Sequence, residues 1–243
     1  MKNWINAVIF SVAIIGAAIV LAGTWRKTHE TKETIKVTGL AEKDFTSDLV
    51  IWSGSFSQHS MTVKEAYSRL KLDADNIKRY LVSKGVAEKE ITLSSVYTNK
   101  DYKYLYDNNG RQTNQIFDGY TLTQSVQIES KEVDKIETVS REVTELLNMG
   151  IEFQSQEPRY YYTKLATLKL EMLAAASKDA YNRAEQIAKN AGGGLGGLRN
   201  AQMGIFQITG QNSDEEYSYG GTYNTSSKNK KASITAKLEF AID

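Results

Sequence analysis

Beyond an N-terminal apolar run, hydrophobic positions alternate between a period near two and a period near 3.6, and the switches mark the elements. The longest helical stretch is Lys164 to Gly197. There Leu165, Leu168, Met172, Ala176, Ala180, Ala184, Ile187 and Ala191 recur at spacings of three and four, while Lys169, Glu171, Lys178, Asp179, Arg183, Glu185 and Lys189 fall mostly elsewhere. The pattern predicts a helix of about 28 residues, roughly 42 Å long, capped by Thr163 and stopped by Gly192. Its alanines admit another backbone at close range, so it reads as a packing spine. Gly192, Gly194 and Gly197 spell G-x-G-x-x-G, but the run closes a helix where nucleotide loops open one. Leu198 and Arg199 follow where a P-loop needs Lys and Ser or Thr, so nucleotide binding is rejected.

The other elements follow in order. Ile35 and Val37 alternate with polar residues, and Leu49 to Phe56 is rich in β-branched and aromatic types; both predict strands. Thr62-Val63-Lys64-Glu65 spells a capping box for a helix with the inner stripe Ala66, Leu70, Ala74, Ile77 and Leu81 and a stop at Gly85. Ile91 to Tyr106 and Gln115 to Glu129 predict a long hairpin about Asp107-Asn108-Asn109-Gly110, whose Asn-Gly pair suits left-handed angles. Tyr102, Tyr104 and Tyr106 share one face of the first arm; Tyr120, Leu122, Val126 and Ile128 share one of the second, interrupted by Gln124. Such ladders can bind sugars or bases, but cross-strand packing or a subunit contact is the reading adopted. Glu132 to Met149 predicts a helix with Val133, Ile136, Val139, Val143 and Leu146 inward and Gly150 as its stop.

Ile151 to Tyr162 predicts a strand that carries the chain's one proline, Pro158, where ladder bonding is interrupted or the strand lies at an edge. A short strand is expected from Ala201 to Ile208. From Gln211 to Lys231 aliphatic residues vanish, which predicts a loop whose Asp214-Glu215-Glu216 and Lys228, Lys230, Lys231 clusters are solvated. Strict alternation then returns. Ala232, Ile234, Ala236, Leu238, Phe240 and Ile242 face one way, with Ser233, Thr235, Lys237 and Glu239 opposite. Antiparallel sheets packed with three main helices make the body α+β.

The apolar run itself, Ile5 to Thr24, is about 20 residues long, enough to cross the hydrocarbon of a bilayer. Trp4 and Trp25 stand at its ends, where indoles favour the interface, and Gly16 and Leu21 lie within it. The expectation is a single transmembrane anchor over residues 1–25, a linker over 26–33 and a folded body over 34–243. A signal peptide cut after Val20-Leu21-Ala22 is the alternative. Arg26, Lys27, Lys32 and Lys36 follow the span, yet a very short tail stays inside while a long body crosses, so the body is expected outside the cytoplasm.

Composition narrows the chemistry. A net charge of +1 with 24% charged residues gives no pointer to nucleic acid. The chain holds no cysteine, which removes disulfides, thiolate nucleophiles and lipid attachment. His29 and His59 are the only histidines and lie in different segments, so no histidine metal site is expected. Asp179 and Arg183 stand one helical turn apart, as any stabilising ion pair does. No catalytic residue, cofactor or metal ligand is predicted.

A resemblance adds to this reading. Val37-Thr38-Gly39, Ser47-Asp48, a helix with Ala66 that ends at Gly85, Ile91, Gly119-Tyr120, then Ala176, Asp179-Ala180, Arg183-Ala184-Glu185, Ala188 and Leu195-Gly196 together resemble the SIMPL domain family. That family includes bacterial periplasmic immunogenic antigens and oxidative-stress defence proteins. The resemblance covers about Ile35 to Asp243; Ser47 departs from it where the family commonly has proline. What it implies is an α+β domain outside the cytoplasm, assembling into large ring-like or channel-like homo-oligomers, with no catalytic residues to carry over. The expectation is thus an inner-membrane, single-pass, periplasmic envelope protein whose partners are its own copies, the bilayer and possible envelope proteins. Tyr102, Tyr104 and Tyr106 are the candidate contacts. An adaptor that reads a protein or glycan through the hairpin and the loop 211–231 is the rival.

Overall fold

A computed structural model describes residues 11–22, 24 and 33–242. After helix α1 (11–22), the element order is β1 (Thr34–Thr46), β2 (Leu49–Ser60), α2 (Val63–Ser83), β3 (Ile91–Leu93), β4 (Tyr97–Tyr106), β5 (Gln112–Ser130) and α3 (Val133–Glu142). Then come β6 (Gln154–Ser155), β7 (Arg159–Tyr161), α4 (Leu165–Asn190), β8 (Leu195–Met203), β9 (Gln207–Gly210) and β10 (Asn229–Ile242). The chain divides into two compact units. One comprises the described residues through Leu40, Ala175–Gly204 and 235–242; the other comprises Ala41–Ala174 and Ile205–Ile234.

The larger unit is built on an antiparallel sheet in the order β3-β5-β2-β6, with β4 also on β5 and β7 also on β2. Along β2 every second residue is buried, which turns Val50, Trp52 and Phe56 onto the core face with Leu122, Val126 and Ile128 of β5. Helices α2 and α3 cover that face with Ala66, Leu70, Ala74, Ile77 and Leu81, and with Val133, Ile136 and Val139. Each buried Leu, Ile or Phe contributes about 1.5–3 kcal/mol by leaving water, well above the differences of up to ~0.7 kcal/mol in helix propensity, so packing decides these helices. At α2 only half of the expected capping box forms. Thr62 Oγ1 accepts from the Glu65 amide at 3.3 Å, but the Glu65 carboxylate takes Ser60 and Arg69 instead of the Thr62 amide.

The helix expected to run to Met149 is α-helical only to Glu142 and continues as a 3-10 stretch, Val143–Met149, closed by Gly150 at φ 75. Val143 and Leu146 are three apart, so they stay buried in the tighter helix. Pro158 lies between β6 and β7, which splits the single strand expected there. The hairpin arm expected from Ile91 divides at Ser94–Val96 into β3 and β4.

In the smaller unit β10 lies between β1 and β8, pairing with β8 from Ala236↔Met203 to Ile242↔Leu195. Ala180 and Ala184 of α4 pack on Leu238 and Phe240, with Ile35, Val37 and Leu195 beside them. The buried stripe of α4 is Leu168, Met172, Ala176, Ala180, Ala184 and Ala188, a steady spacing of four. Ile187, expected inside, is 49% exposed, and Ala191 is exposed also. Gly192 ends the helix at φ 81, as expected, whereas Thr163 gives its amide and hydroxyl hydrogens to Asp48. Gly196 and Gly197 belong to β8, and the strand expected from Ala201 to Ile208 is found in part, its start in the end of β8 and its end in β9, with a break after Met203.

Helix α1 is the described part of the apolar leader, and Gly16 and Leu21 are exposed on it. Among the described residues no helix is long and apolar enough to cross a membrane. The flanks of the expected span, with Trp4, Ile5 and Trp25, lie outside the described residues, as does His29.

Candidate interaction surface

Strand β5 pairs with β2 only from Tyr120 to Ser130, so residues 112–119 continue past the end of the β2 ladder with β4 as their one strand partner among the described residues. This two-stranded ribbon is closed by an Asp107 to Gly110 turn, in which the Gly110 amide donates to Asp107 O at 3.0 Å and Gly110 takes φ 74. Asn109, expected to share the left-handed angles, does not adopt a positive φ. Both ribbon edges lack a strand partner among the described residues: the outer edge of β4, and that of β5 over residues 112–119. Tyr102, Tyr104 and Tyr106 are 41%, 50% and 62% exposed, and Tyr97, Leu105 and Ile116 are exposed too. Only Tyr102 is steadied by another ring, edge-on to Phe117 at 5.8 Å.

Where the ribbon leaves β2 the ladder bulges. Asp101 pairs with Gly119 and Tyr102 with Phe117, so Asp118 is the extra residue. Gly119 takes φ 114, and a Cβ there would stand 2.7 Å from Ser60 O and 2.8 Å from His59 Nε2, which is why glycine precedes Tyr120. His59, exposed near the end of β2, holds this bulge. Its Nε2 lies 2.7 Å from Asp118 O, and a carbonyl can only accept, so that nitrogen carries the hydrogen. Asp101 takes Thr121 Oγ1 at 2.5 Å, and Lys103 meets Asp118 at 2.7 Å. Tyr120 stacks edge-on to Phe117 at 5.1 Å.

The remaining positions picked out by the sequence are structural. A Cβ on Gly39 would run into the Ala176 carbonyl oxygen and stand 2.5 Å from Ala180 N, so β1 lies directly on α4 here. One residue on, the Leu40 amide donates to Asp179 Oδ2 at 2.9 Å, and Arg183 Nε meets the same oxygen at 2.8 Å. The Leu40 hydrogen bond first, then Arg183, holds the Asp179 carboxyl below the usual carboxylate range. Glu185 pairs with Lys189 at 3.3 Å, Gly85 ends α2 at φ 85, and Asp48 accepts from Thr163. Ala180 and Ala184 are fully buried. Gly39, Asp179, Ala180, Arg183 and Ala184 therefore converge on one strand and helix contact. Gly196 lies in β8 outside that contact.

The loop expected to be solvated carries a buried polar network. Lys230 is 0% exposed, and its Nζ donates to Asn224 O and Ser227 O, both at 2.6 Å. Burial pushes the Lys230 ammonium down to about 8. Glu215 accepts from the Gly210 amide at 2.9 Å and from Asn224 Nδ2 at 2.5 Å, and Gln207 accepts from the Thr222 amide at 2.7 Å. One signal was available: Lys230 is in phase with Ala232, Ile234 and Ala236, so the strand alternation carried back puts it on the core face. Among the described residues no three His, Asp or Glu side chains gather as a metal site.

Antiparallel sheets with helices laid on them, and a motif of glycines, alanines and paired charges, place the protein in the α+β class. The chain belongs to the SIMPL family: the model of that family, described as a protein of unknown function (DUF541), matches residues 35–240. No curated protein matches the chain.

Proposed function

We propose that the chain is a non-catalytic envelope protein that works by assembling with its own copies into a ring-like or channel-like homo-oligomer, with a structural or stress-protective role. The observation that carries this reading is the β4–β5 ribbon with two open edges. Isolated two-stranded ribbons are marginal in water, and open edges invite a further strand. An identical copy is the occupant argued for, because the β4 edge of one ribbon can extend the β5 edge of the next, a head-to-tail contact that closes when the rotation allows. Tethering by the leader in the inner membrane, with the body in the periplasm, would raise the local concentration of subunits. Mass measurement of the full chain in mild detergent tests the assembly; a monomer at every concentration contradicts it. A reporter enzyme active only outside the cytoplasm, fused after residue 29, tests the export.

One observation favours a second reading, an adaptor for another envelope protein or a glycan. Tyr219 is fully exposed and Tyr217 is 58% exposed, on a loop already held by the Lys230 network. Replacing both tyrosines by serine separates the two: an adaptor loses its partner, whereas a ring still forms.

A further inference from the structure

The larger unit contains a cleft of about 480 Å³ that neither the ribbon nor the leader uses. Its wall includes Ser47, Asp48, Lys131, the first turn of α3 (Val133, Asp134 and Lys135), Lys164 and Lys228. Helix α3 starts without a side-chain cap, since Glu132 makes no capping hydrogen bond. The first intrahelical bond is that of the Ile136 amide to Glu132 O at 3.0 Å. The amides of Val133, Asp134 and Lys135 thus have no acceptor within the helix, and their residues stand in the cleft wall at the positive end of the helix dipole, the arrangement that receives anions elsewhere.

A second observation is independent of the helix. Ser47 is 4% exposed, and its Oγ is the one buried side-chain oxygen or nitrogen that finds no hydrogen-bond partner among the described residues. The Ser47 amide is already committed, to Lys228 O at 2.9 Å, so the hydroxyl is held in place yet unused. A buried hydroxyl without a partner costs stability, and such a group in a cleft wall calls for a ligand acceptor.

The charges favour an anion as well. The three carboxylates in the wall have partners: Asp48 accepts from Thr163, Asp134 from Lys228, and Glu132 lies 3.5 Å from Lys135. Lys131 and Lys164 have no acidic partner among the described residues. With four lysines against three carboxylates in the wall, two ammonium groups without an acidic partner, the uncapped first turn of α3 and Ser47 make the space cationic.

We infer that this cleft binds a phosphate group, through the Ser47 hydroxyl, the first-turn amides of α3, and Lys131 and Lys164. The group is inorganic phosphate or the phosphomonoester of an anionic lipid headgroup.

The test uses the full chain in a non-ionic detergent, titrated calorimetrically with inorganic phosphate and, separately, with short-chain phosphatidic acid. Three variants are compared: Ser47→Ala, Lys131→Gln and Lys164→Gln. Saturable binding of either probe is expected, weakened roughly tenfold or more by each substitution. Ser47→Ala carries its own control, because removing an unpartnered hydroxyl leaves the ligand-free protein as stable or more so while phosphate affinity falls. Tighter binding of phosphatidic acid identifies a lipid headgroup as the source, and equal or tighter binding of inorganic phosphate identifies the free ion. No saturable heat with either probe overturns the inference, as does binding that all three variants leave unchanged.

Discussion

A methyl group at position 39 would meet the backbone of α4, and backbone cannot swing aside as a side-chain tip can. Gly39→Ala is therefore expected to lower stability by about 1–3 kcal/mol, read as a shift in the denaturant midpoint at constant slope. Lys230 sets a different constraint, one that titrates. Its ordinary value is 10.5, and burial lowers it to about 8, with Glu215 offsetting only part of the effect. Between those values the unfolded chain keeps a proton that the native lysine has released, so native stability gains as pH rises through the window. Lys230→Met removes this titration. The stability of the wild type relative to that variant is expected to rise from about pH 7.5 to about pH 10; a flat or falling difference contradicts the assignment. The sequence displayed Lys230 among Lys228 and Lys231, and charge runs are ordinarily solvated. Its burial is a property of strand phase, which composition hides.

At the scale of elements, the cap of α2 gives a cleaner test than its interior. Thr62→Ala removes the hydroxyl that accepts from the Glu65 amide, and a loss of about 0.5–2 kcal/mol is expected in equilibrium unfolding. Glu65 does not return the favour to the Thr62 amide, so its neutral variant should act through Ser60 and Arg69 instead. Elements with one wet and one buried face were readable from periodicity, and the stripes of α2 and α3 lie inside as expected. Strand β8 was readable only at its end, from Ala201. From Gly197 to Met203 it is exposed throughout, so its only commitment is backbone pairing with β10 and no side-chain rhythm announces it. The steady spacing of four along α4 also displaced Ile187 in favour of Ala188, because small residues permit the close approach seen at Gly39.

For the whole molecule, the decisive measurement concerns the ribbon. Replacing Tyr102, Tyr104 and Tyr106 together by serine is expected to weaken self-association about tenfold or more while leaving the unfolding midpoint nearly unchanged, since these rings are exposed in the single chain. Sedimentation across a concentration series checks it, and an unchanged distribution would remove the ribbon from the assembly. The hairpin and its tyrosines were legible from alternation and the Asp107 to Gly110 turn. Its bulge at Asp118 and the grip of His59 were not, because they arise only when β2 ends at Ser60 beside the glycine. The cleft beside α3 escaped for a similar reason: residues near 47, 132 and 164 meet only after the sheet has formed.

Strand β5 is one uninterrupted length from the ribbon at Gln112 to the core at Ser130. Tension applied to the tip along the strand would reach the β2 ladder side-on, loading the bonds from Ser60↔Tyr120 to Val50↔Ser130 together rather than peeling them in turn. A pull at the tip would thus be borne by the β2–β5 ladder as shear.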